Sequence, residues 1–259
     1  MIITTGDQSS PQTERRAVTL AQETGAIYVP RNRTSLSKLS ETYGGQDILI
    51  ILKEEVRLFR EGEEPMIFHP SMAFVRAKRL LKGEPDNMLE AARVAPGDTI
   101  IDCTAGLGAD SMVFALGAGP EGHVLALEAS LSLSALLREG LSSYECRIKP
   151  FNEALRRIEV RCADHLEVLR GLADNSADVI YFDPMFRSPV LESASISPLR
   201  KYANNDPLSF ETIAEARRVA RKTIVLKEKK GSDEFDRLGF TVVGRSQSKI
   251  AYGVISLDD

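Results

Sequence analysis

The chain has 259 residues, of which 43% are hydrophobic and 27% are charged, and its formal net charge is −4 at pH 7. This is the composition of an ordinary folded protein, and it excludes global disorder and a surface uniformly coated with basic residues. No uninterrupted apolar run approaches the length of a membrane span, and the polar start, residues 1–16, lacks the apolar core of a signal peptide. We therefore expect a cytoplasmic protein.

The cysteines and histidines do not predict a metal site. The three cysteines are too few and too scattered for a disulfide framework or a zinc site, so we expect them to be core residues. The three histidines also lack metal-ligand spacing. These residues are Cys103, Cys146, Cys162, His69, His123 and His165.

The first seventy residues predict a small α/β module that precedes the main domain. Residues 2–5 predict an edge strand, and residues 11–25 predict a helix because a proline stands near the start and a glycine at the end. We place the boundary at residue 70, so that residues 71–259 form the second domain. The other predicted elements of the module are a strand at 26–29, a helix at 35–43, a strand at 47–52 and short strands at 57–60 and 66–69.

Basic residues are frequent in this module and in the helix predicted at 71–81. Two interpretations stay open for them. They form either a solvated helix face, as most charge runs do, or a basic surface that grips an acidic substrate. The residues are Arg15, Arg16, Arg31, Arg33, Lys38, Arg76, Lys78, Arg79 and Lys82.

From residue 97 onward, short apolar runs alternate with helical patterns, which predicts a parallel sheet with helices on both faces. Two late strands, at 240–246 and 249–257, have no long helix between them and predict an antiparallel hairpin at the sheet edge, an ending typical of methyltransferases. The other predicted strands are 99–103, 123–127, 158–162, 178–182 and 222–227, and the predicted helices are 109–117, 131–143, 165–172 and 209–220.

The stretch 99–111 predicts the binding site of a nucleotide-like cofactor. An apolar strand ends at Asp102 and passes through Ala105, Gly106 and Gly108 into a helix. Glycines let the backbone turn tightly and approach a ligand, and the first turn of the following helix offers unpaired N–H groups. The turn alone does not identify the cofactor, because dinucleotide folds use a similar one.

Acidic residues at the strand ends narrow the choice of cofactor. Glu128 ends the second strand about twenty residues past the glycines, where a carboxylate can accept both hydroxyls of a ribose. NAD and S-adenosylmethionine both carry that ribose. Asp102 before the turn, Ser111 in place of a third glycine and Asp164 after the third strand favour S-adenosylmethionine. We expect Asp164 to accept from the adenine amine and Asp102 to hold the aminoacyl ammonium.

Two of the acidic residues can also be interpreted as N-caps of helices. Aspartate is a favoured N-cap residue, so Asp110 and Asp164 are also candidates for capping the helices that begin beside them. Ligands of open α/β sheets bind beyond the carboxyl ends of the strands, and Asp102, Glu128, Asp164 and Asp183 all fall at such ends. The sequence therefore predicts that these four acids meet at one crevice.

Directly after the fourth strand, Asp183, Pro184, Met185 and Phe186 resemble the Asp/Asn-Pro-Pro-aromatic motif of methyltransferases that act on exocyclic amines of nucleobases. Such an amine is a poor nucleophile because its lone pair is spread into the ring. We expect Asp183 and the Pro184 carbonyl to accept its two N–H groups, and Phe186 to stack on the flipped base. A strand-end turn for Asp183 and a core position for Phe186 are the alternative interpretations.

The run 102–110 and this tetrad resemble the bacterial small-subunit ribosomal RNA guanine-N2 methyltransferase family over roughly residues 97–230. The resemblance implies a Rossmann-like class I methyltransferase fold, S-adenosylmethionine as cofactor, and ribosomal RNA or the small ribosomal subunit as partner. The cofactor contacts that it implies are Ala109, Asp110, Glu128, Ala129, Asp164, His165 and Asp183.

Two features separate the chain from the family members with that ribosomal RNA activity. Those members continue the tetrad with proline, where this chain has Arg187. The segment 68–73, Phe-His-Pro-Ser-Met-Ala, resembles instead an uncharacterised branch of methyltransferases from Gram-positive bacteria. The resemblance therefore implies the reaction type more directly than the target nucleotide.

We expect methyl transfer to an exocyclic amine, guanine N2 of ribosomal RNA. The alternatives are a methyltransferase that acts on DNA, protein or a small molecule, and a cofactor-binding protein without transferase activity. Basic residues near the cleft, including a pair at 200–201 that the family shares, are candidates for phosphate contacts. They are Arg187, Arg200, Lys201, Lys227, Lys229 and Lys230.

Overall fold

The computed structural model describes residues 1–184, 207–244 and 248–257. Met185, Phe186, Arg187, Arg200 and Lys201 lie outside the described residues. The helices are α1 (Pro11–Thr24), α2 (Leu36–Thr42), α3 (Ser71–Leu80), α4 (Asn87–Ala92), α5 (Ala109–Gly117), α6 (Leu131–Ser143), α7 (Lys149–Arg156), α8 (His165–Gly171), α9 (Phe210–Val219) and α10 (Glu234–Leu238). The strands are β1 (Ile2–Thr5), β2 (Ile27–Tyr28), β3 (Ile48–Ile51), β4 (Val56–Phe59), β5 (Met66–Ile67), β6 (Thr99–Asp102), β7 (His123–Glu128), β8 (Ile158–Cys162), β9 (Ala177–Phe182), β10 (Ala220–Lys229), β11 (Thr241–Val243) and β12 (Ile250–Ser256).

The first five strands form one sheet in the order β2-β1-β3-β4-β5. β1 pairs in parallel with β2 on one side and with β3 on the other, so the expectation that it is an edge strand is wrong. All four of its residues are buried, including two threonines. Thr4 satisfies its hydroxyl inside the sheet by donating to the carbonyl oxygen of Val29 at 2.7 Å, which lets a polar residue occupy an interior strand.

The other strands form a second sheet in the order β11-β12-β10-β9-β6-β7-β8. From β8 to β10 each strand is parallel to its neighbours, whereas β12 runs antiparallel to β10 and β11 antiparallel to β12. The predicted Rossmann-like α/β sheet with an antiparallel final hairpin is confirmed. All six residues of the central strand β9 are buried, which explains its nearly continuous apolar sequence.

Side-chain caps explain where several helices begin. Ser10, Ser130 and Ser209 each accept a hydrogen bond from the backbone N–H three residues later, at the starts of α1, α6 and α9. The bounds of α6 are those that the sequence predicts. The helices α4, α7 and α10 are not among the predicted elements, because their six, eight and five residues are too few to show a clear helical period.

One hydrophobic cluster spans the two sheets, and each sheet also has a separate cluster of its own. Residues of β1, β3 and β4 belong to the same buried cluster as residues of α5, α6 and β7. Polar links add to this packing: Arg16 of α1 forms an ion pair with Glu139 of α6, and Ser132 Oγ of α6 donates to Asp47 Oδ2 at 2.7 Å. Helix α6 is therefore held against the first sheet. The domain boundary at residue 70 stays a prediction.

Gly140 of α6 packs against Phe68, and a Cβ at position 140 would overlap three atoms of the phenyl ring. We expect Gly140→Ala to lower the free energy of unfolding by about 1–3 kcal/mol, because overpacking outweighs the better helix propensity of alanine. Urea unfolding followed by circular dichroism measures the change. Gly171→Ala is the matched control, since a Cβ at this last residue of α8 meets nothing within 4 Å and should leave stability equal or slightly higher. Equal stability of both variants would contradict the close contact.

Among the described residues, none of the helices is long and apolar enough to cross a membrane, and no group of three or more His, Cys, Asp or Glu side chains could hold a metal ion. The cysteines differ in burial: Cys103 is buried, Cys146 is half-buried and Cys162 is exposed. The expected core position is confirmed for Cys103 and wrong for Cys162. Cys162 ends β8, which is the outermost strand of its sheet.

Candidate active site

The four predicted acids lie along one edge of the second sheet. Asp102 and Glu128 are the last residues of β6 and β7, Asp183 directly follows β9, and Asp164 comes two residues after β8. These strands are neighbours in the order β8-β7-β6-β9 and are parallel, so their carboxyl ends meet at the same edge. The topology therefore brings together acids that are far apart in the sequence.

The glycine turn between β6 and α5 lies against the end of β7. Gly106 and Gly108 both adopt left-handed backbone conformations, with φ of 54° and 73°. The Ala105 N–H donates to the carbonyl oxygen of Leu127 at 2.9 Å, and the Gly106 N–H donates to Glu128 Oε2 at 3.0 Å. A Cβ at position 106 would meet nothing within 4 Å. The turn thus presents open backbone beside the Glu128 carboxylate.

Backbone donors hold Glu128 in place. Glu128 is 8% exposed, and its Oε1 accepts from the Ser130 N–H at 2.8 Å while Oε2 accepts from Gly106. Burial raises the pKa of Glu128, and these two N–H groups counteract part of the rise. Each carboxylate oxygen has two acceptor positions, so Glu128 can still accept from the hydroxyls of a ligand. Ala129, which follows it, and Ala109, which begins α5, are exposed.

The side chain of Asp102 points into the protein interior. It is 1% exposed, Ser111 Oγ donates to its Oδ2 at 2.5 Å, and the Thr104 N–H donates to its Oδ1 at 3.2 Å. Burial raises the pKa of Asp102 to about 7, although the Ser111 hydroxyl acts in the opposite direction. Near neutral pH the group is therefore divided between its protonated and ionised forms. Ser111, which replaces a third glycine in the turn, has a structural partner in this carboxyl group.

The raised pKa of Asp102 makes folding stability depend on pH. Because the unfolded group ionises near its ordinary pKa and the folded group near 7, its contribution to stability falls as pH rises from about 4 to 7. As the pH rises from 5 to 8, we expect the free energy of unfolding of Asp102→Asn to increase by about 2–3 kcal/mol relative to that of the parent. Urea unfolding of both proteins across this range measures the gain.

Asp178→Asn is the control for this prediction. Asp178 is also buried, but its pKa is lowered because hydrogen bonds from Arg221 and Thr99 overcome its desolvation, so it is ionised throughout that range in both folded and unfolded chains. The effect of Asp178→Asn on the free energy of unfolding should therefore not change between pH 5 and pH 8. If the difference in unfolding free energy between Asp102→Asn and the parent is also constant over this pH range, that result would contradict the raised pKa of Asp102.

Asp110 is the centre of a buried network of charges. The N-cap of α5 is Gly108, so the capping interpretation of Asp110 is wrong. Its carboxylate accepts from Arg76 Nη1 at 2.5 Å, from Lys227 Nζ at 2.7 Å and from the Tyr181 hydroxyl at 2.6 Å. Despite burial of the group, Lys227 and Arg76 hold the pKa of Asp110 well below its usual range. Asp110 is thus an anion at any physiological pH.

Lys227 of β10 lies between Asp110 and Asp183. Its Nζ is 2.7 Å from Asp110 Oδ2 and 2.7 Å from Asp183 Oδ2. The backbone N–H of Asp183 donates to Thr104 Oγ1 at 2.6 Å, so the loop after β6 also fixes Asp183. The expectation that Lys227 contacts phosphate is wrong, because two carboxylates engage its ammonium. This role of Lys227 could not be predicted from the sequence, since no local pattern pairs residues 44 and 117 positions apart.

Asp164 caps helix α8. Its Oδ1 accepts from the backbone N–H groups of Leu166 at 2.9 Å and Glu167 at 3.2 Å, which confirms the capping interpretation. A contact between Asp164 and adenine stays a prediction. His165 is the first residue of α8, and its ring lies edge-on to Phe182 with 5.9 Å between the centroids. Burial lowers the pKa of His165, so its imidazole is neutral at pH 7.

Several of the predicted basic residues are engaged in ion pairs, so they do not present free charges to a substrate. This is a correction to the basic-surface interpretation for Arg16, Arg31 and Arg76, whereas Arg79 pairs with Glu84 at the surface and keeps an exposed side chain. Their ion pairs are Arg16–Glu139, Arg31–Asp7, Arg76–Asp86, Arg76–Asp110 and Arg79–Glu84. The exposed members of the predicted set are Arg15, Arg33, Lys38, Lys78, Arg79 and Lys82.

Comparison with known proteins identifies the family. Residues 38–238 match the sequence model of a family described as "Putative SAM-dependent methyltransferase", where SAM is S-adenosylmethionine. The chain belongs to this family of SAM-dependent methyltransferases. The predicted cofactor is confirmed, and the site fits it: the turn at Gly106 leaves open backbone beside an oriented, buried carboxylate, Glu128.

The chain is also similar to individual proteins. The methyltransferase is 41% identical over 254 residues to the uncharacterized protein YpiP of Bacillus subtilis, with 98% of each chain covered. It is 26% identical over 200 residues to ribosomal RNA small subunit methyltransferase J of Shewanella amazonensis, with 72% of this chain and 78% of the relative covered. The crystal structure of a SAM-dependent methyltransferase from Neisseria gonorrhoeae shares the fold, with a TM-score of 0.62 at 19% identity over 99% of this chain and 96% of that one.

Proposed function

We propose that this SAM-dependent methyltransferase methylates the exocyclic N2 amine of guanine in ribosomal RNA. The observation that carries the proposal is the position of Asp183, which follows β9 at the edge where the four acids meet, has a side chain 28% exposed, and precedes Pro184 as in the tetrad of amine methyltransferases. The name of the Shewanella amazonensis relative supports ribosomal RNA as the target.

The cofactor side of the proposed site is built from the glycine turn and the ends of β7 and β8. SAM supplies an electrophilic methyl group when it is bound. We assign the carboxylate of Glu128 to the ribose hydroxyls and that of Asp164 to the adenine amine. Because the Asp110 carboxylate is enclosed by cations, its backbone is the part assigned to the cofactor. The full proposed set is Asp102, Ala105, Gly106, Gly108, Ala109, Asp110, Glu128, Ala129, Asp164, His165 and Asp183.

The substrate side of the proposed site begins at Asp183. The lone pair of the guanine N2 amine is delocalised into the ring, so the nitrogen must pyramidalise before it can attack. Hydrogen bonds from its two N–H groups to the Asp183 carboxylate and the Pro184 carbonyl favour that geometry. Bound SAM would supply the methyl group, with the electron pair of the broken S–C bond left on its sulfur, and Asp183 or water would take the proton that the methylated nitrogen releases. Alignment and electrostatic placement carry the rate in this scheme.

The proposal is tested by methyl transfer from labelled SAM to ribosomal RNA. The substrates are total ribosomal RNA and isolated small subunits, both from cells that lack this gene, and the product is hydrolysed to nucleosides. Label in N2-methylguanosine is the expected result. Free RNA and subunits are assayed separately, because the assembled subunit presents only some of its nucleotides.

Other outcomes would overturn parts of the proposal. Label in N6-methyladenosine or N4-methylcytidine would keep an exocyclic amine and replace the base. An absence of label in both substrates, with SAM binding shown by calorimetry, would move the substrate to DNA, protein or a small molecule. Those three substrate classes can then be assayed with the same labelled donor.

A further inference from the structure

We infer that Lys227 is a positioning residue for Asp183: its ammonium anchors Oδ2 of the carboxylate and leaves Oδ1 directed to the substrate amine. This inference rests on the proposed function for its catalytic meaning, whereas the anchoring itself can be tested without substrate. Among the residues that the structure describes, Oδ1 of Asp183 accepts no hydrogen bond, and Oδ2 accepts from Lys227 at 2.7 Å.

The sheet register places Lys227 beside Asp183. β10 runs parallel to β9, and Leu226 pairs with Phe182, so Lys227 and Asp183 are the next residues along two adjacent strands. On the other side, β10 is antiparallel to β12, where Lys227 pairs with Tyr252. The backbone ladder therefore places Lys227 and Asp183 side by side, and the ion pair between their side chains fixes the ammonium.

A series of charged side chains also holds Lys227 through its second partner, Asp110. Its second carboxylate, Asp110, is also bound by Arg76, and Arg76 in turn forms two hydrogen bonds with Asp86, at 2.8 and 2.7 Å. The result is an alternating series, Asp86–Arg76–Asp110–Lys227–Asp183, that ends at the site. With its side chain 21% exposed and both carboxylates in contact, Lys227 is held as an anchor and is not free to reach a phosphate.

Lys227 also separates two acids that would otherwise repel each other. Burial and the charge of Asp110 raise the pKa of Asp183, and Lys227 opposes them. Without the ammonium, one of two neighbouring carboxylates takes up a proton at a higher pH. Protonated Asp183 would present a donor where the amine needs an acceptor. The other ionisable groups that act on Lys227, Asp183 or Asp110 are Arg76, Asp102, Tyr181, Glu228 and Tyr252.

The first experiment titrates the Asp183 carboxyl directly. The full chain is labelled with ¹³C at aspartate Cγ, and the Asp183 signal is assigned by its loss in Asp183→Asn. We expect Lys227→Met to raise the pKa of Asp183 by at least about one unit and Lys227→Arg to leave it nearly unchanged. An unchanged pKa in folded Lys227→Met would overturn the inference. If the methionine variant does not fold, Lys227→Gln, which keeps a donor without the charge, takes its place.

The second experiment measures the pH profile of kcat with small subunits and labelled SAM. In Lys227→Met we expect kcat at pH 7 to fall by about ten- to a hundredfold and the acidic limb to move to higher pH, with the Kd for SAM changed little. Lys227→Arg should restore most of the rate. Lys53→Met is the control for the same substitution at a lysine that is 88% exposed, and it should change nothing.

The outcomes separate the inference from the proposed function. A rate loss in Lys227→Met that is equal at all pH values, is not rescued by arginine and accompanies lower stability would show a structural role and overturn the inference. If the parent enzyme does not methylate ribosomal RNA, the proposed function fails, and the carboxyl titration still decides whether Lys227 anchors Asp183.

Discussion

Asp183→Ala is expected to lower the rate of methyl transfer at least about a hundredfold while SAM affinity falls only a few-fold. The reason is that, in the proposed mechanism, the carboxylate acts on the amine in the transition state, where one well-placed hydrogen-bonding group contributes about a hundred- to a thousandfold in rate. The fold should persist, because Lys227 keeps its second partner, Asp110, at 2.7 Å and is not left as an unpaired buried charge. Single-turnover transfer to small subunits measures the rate, and calorimetry measures the affinity.

Asp183→Asn is the matched control, since it keeps the size of the side chain and one acceptor oxygen but removes the charge. We expect its rate to lie between that of the parent and that of Asp183→Ala. An unaffected rate in the alanine variant would exclude the assigned role of Asp183. A large loss of SAM affinity in both variants would instead assign the residue to the cofactor, which the family resemblance also implies.

Glu128→Ala is expected to weaken SAM binding by about ten- to a hundredfold. This corresponds to the loss of a charge-assisted hydrogen bond to the ribose, about 1.5–3 kcal/mol. The structure adds a second contribution of the same sign, because the Gly106 N–H donates to Glu128 at 3.0 Å and would lose its acceptor in the glycine turn. Isothermal titration calorimetry with SAM measures the change in Kd.

Two further variants separate these contributions. Glu128→Gln keeps one acceptor oxygen, which can still serve the Gly106 N–H, but it places an amide NH2 beside the Ser130 N–H. A smaller loss of affinity than in Glu128→Ala therefore measures what the acceptor for Gly106 contributes. Glu121→Ala removes an exposed carboxylate just before β7 and should leave the Kd unchanged. Unchanged affinity in Glu128→Ala would refute the placement of the ribose at this strand end.

Much of the second sheet could be predicted because its signals are local. β8 and α6 have the bounds that the sequence predicts, and Ser130 marks the start of α6 by accepting from the Leu133 N–H. The helix α7 was missed although Phe151, Ala154 and Leu155 form a buried face and Pro150 stands in its first turn. In a helix of eight residues the apolar pattern is too short to repeat. A loop with three apolar residues would show the same pattern.

The candidate site also contains features that could be predicted from the sequence and features that could not. Strand-end acids could be predicted because the edge of a parallel sheet follows from topology alone, without side-chain detail. The network around Asp110 could not, since it depends on the register of β9 and β10 and on where Arg76 of α3 points. For the same reason Arg16 and Arg31 were open to interpretation as a substrate surface, whereas their partners, Glu139 and Asp7, are fixed only by tertiary packing.

The position of Lys227 on β10 has a consequence for biosynthesis. Ribosomes make the chain from its amino end, so β6, β7 and β8, which carry the proposed cofactor edge, emerge well before β10. Until residue 227 leaves the exit tunnel, Asp110 and Asp183 have no ammonium between them. The Asp183 carboxylate therefore gains its counter-charge late in synthesis, when β10 pairs with β9.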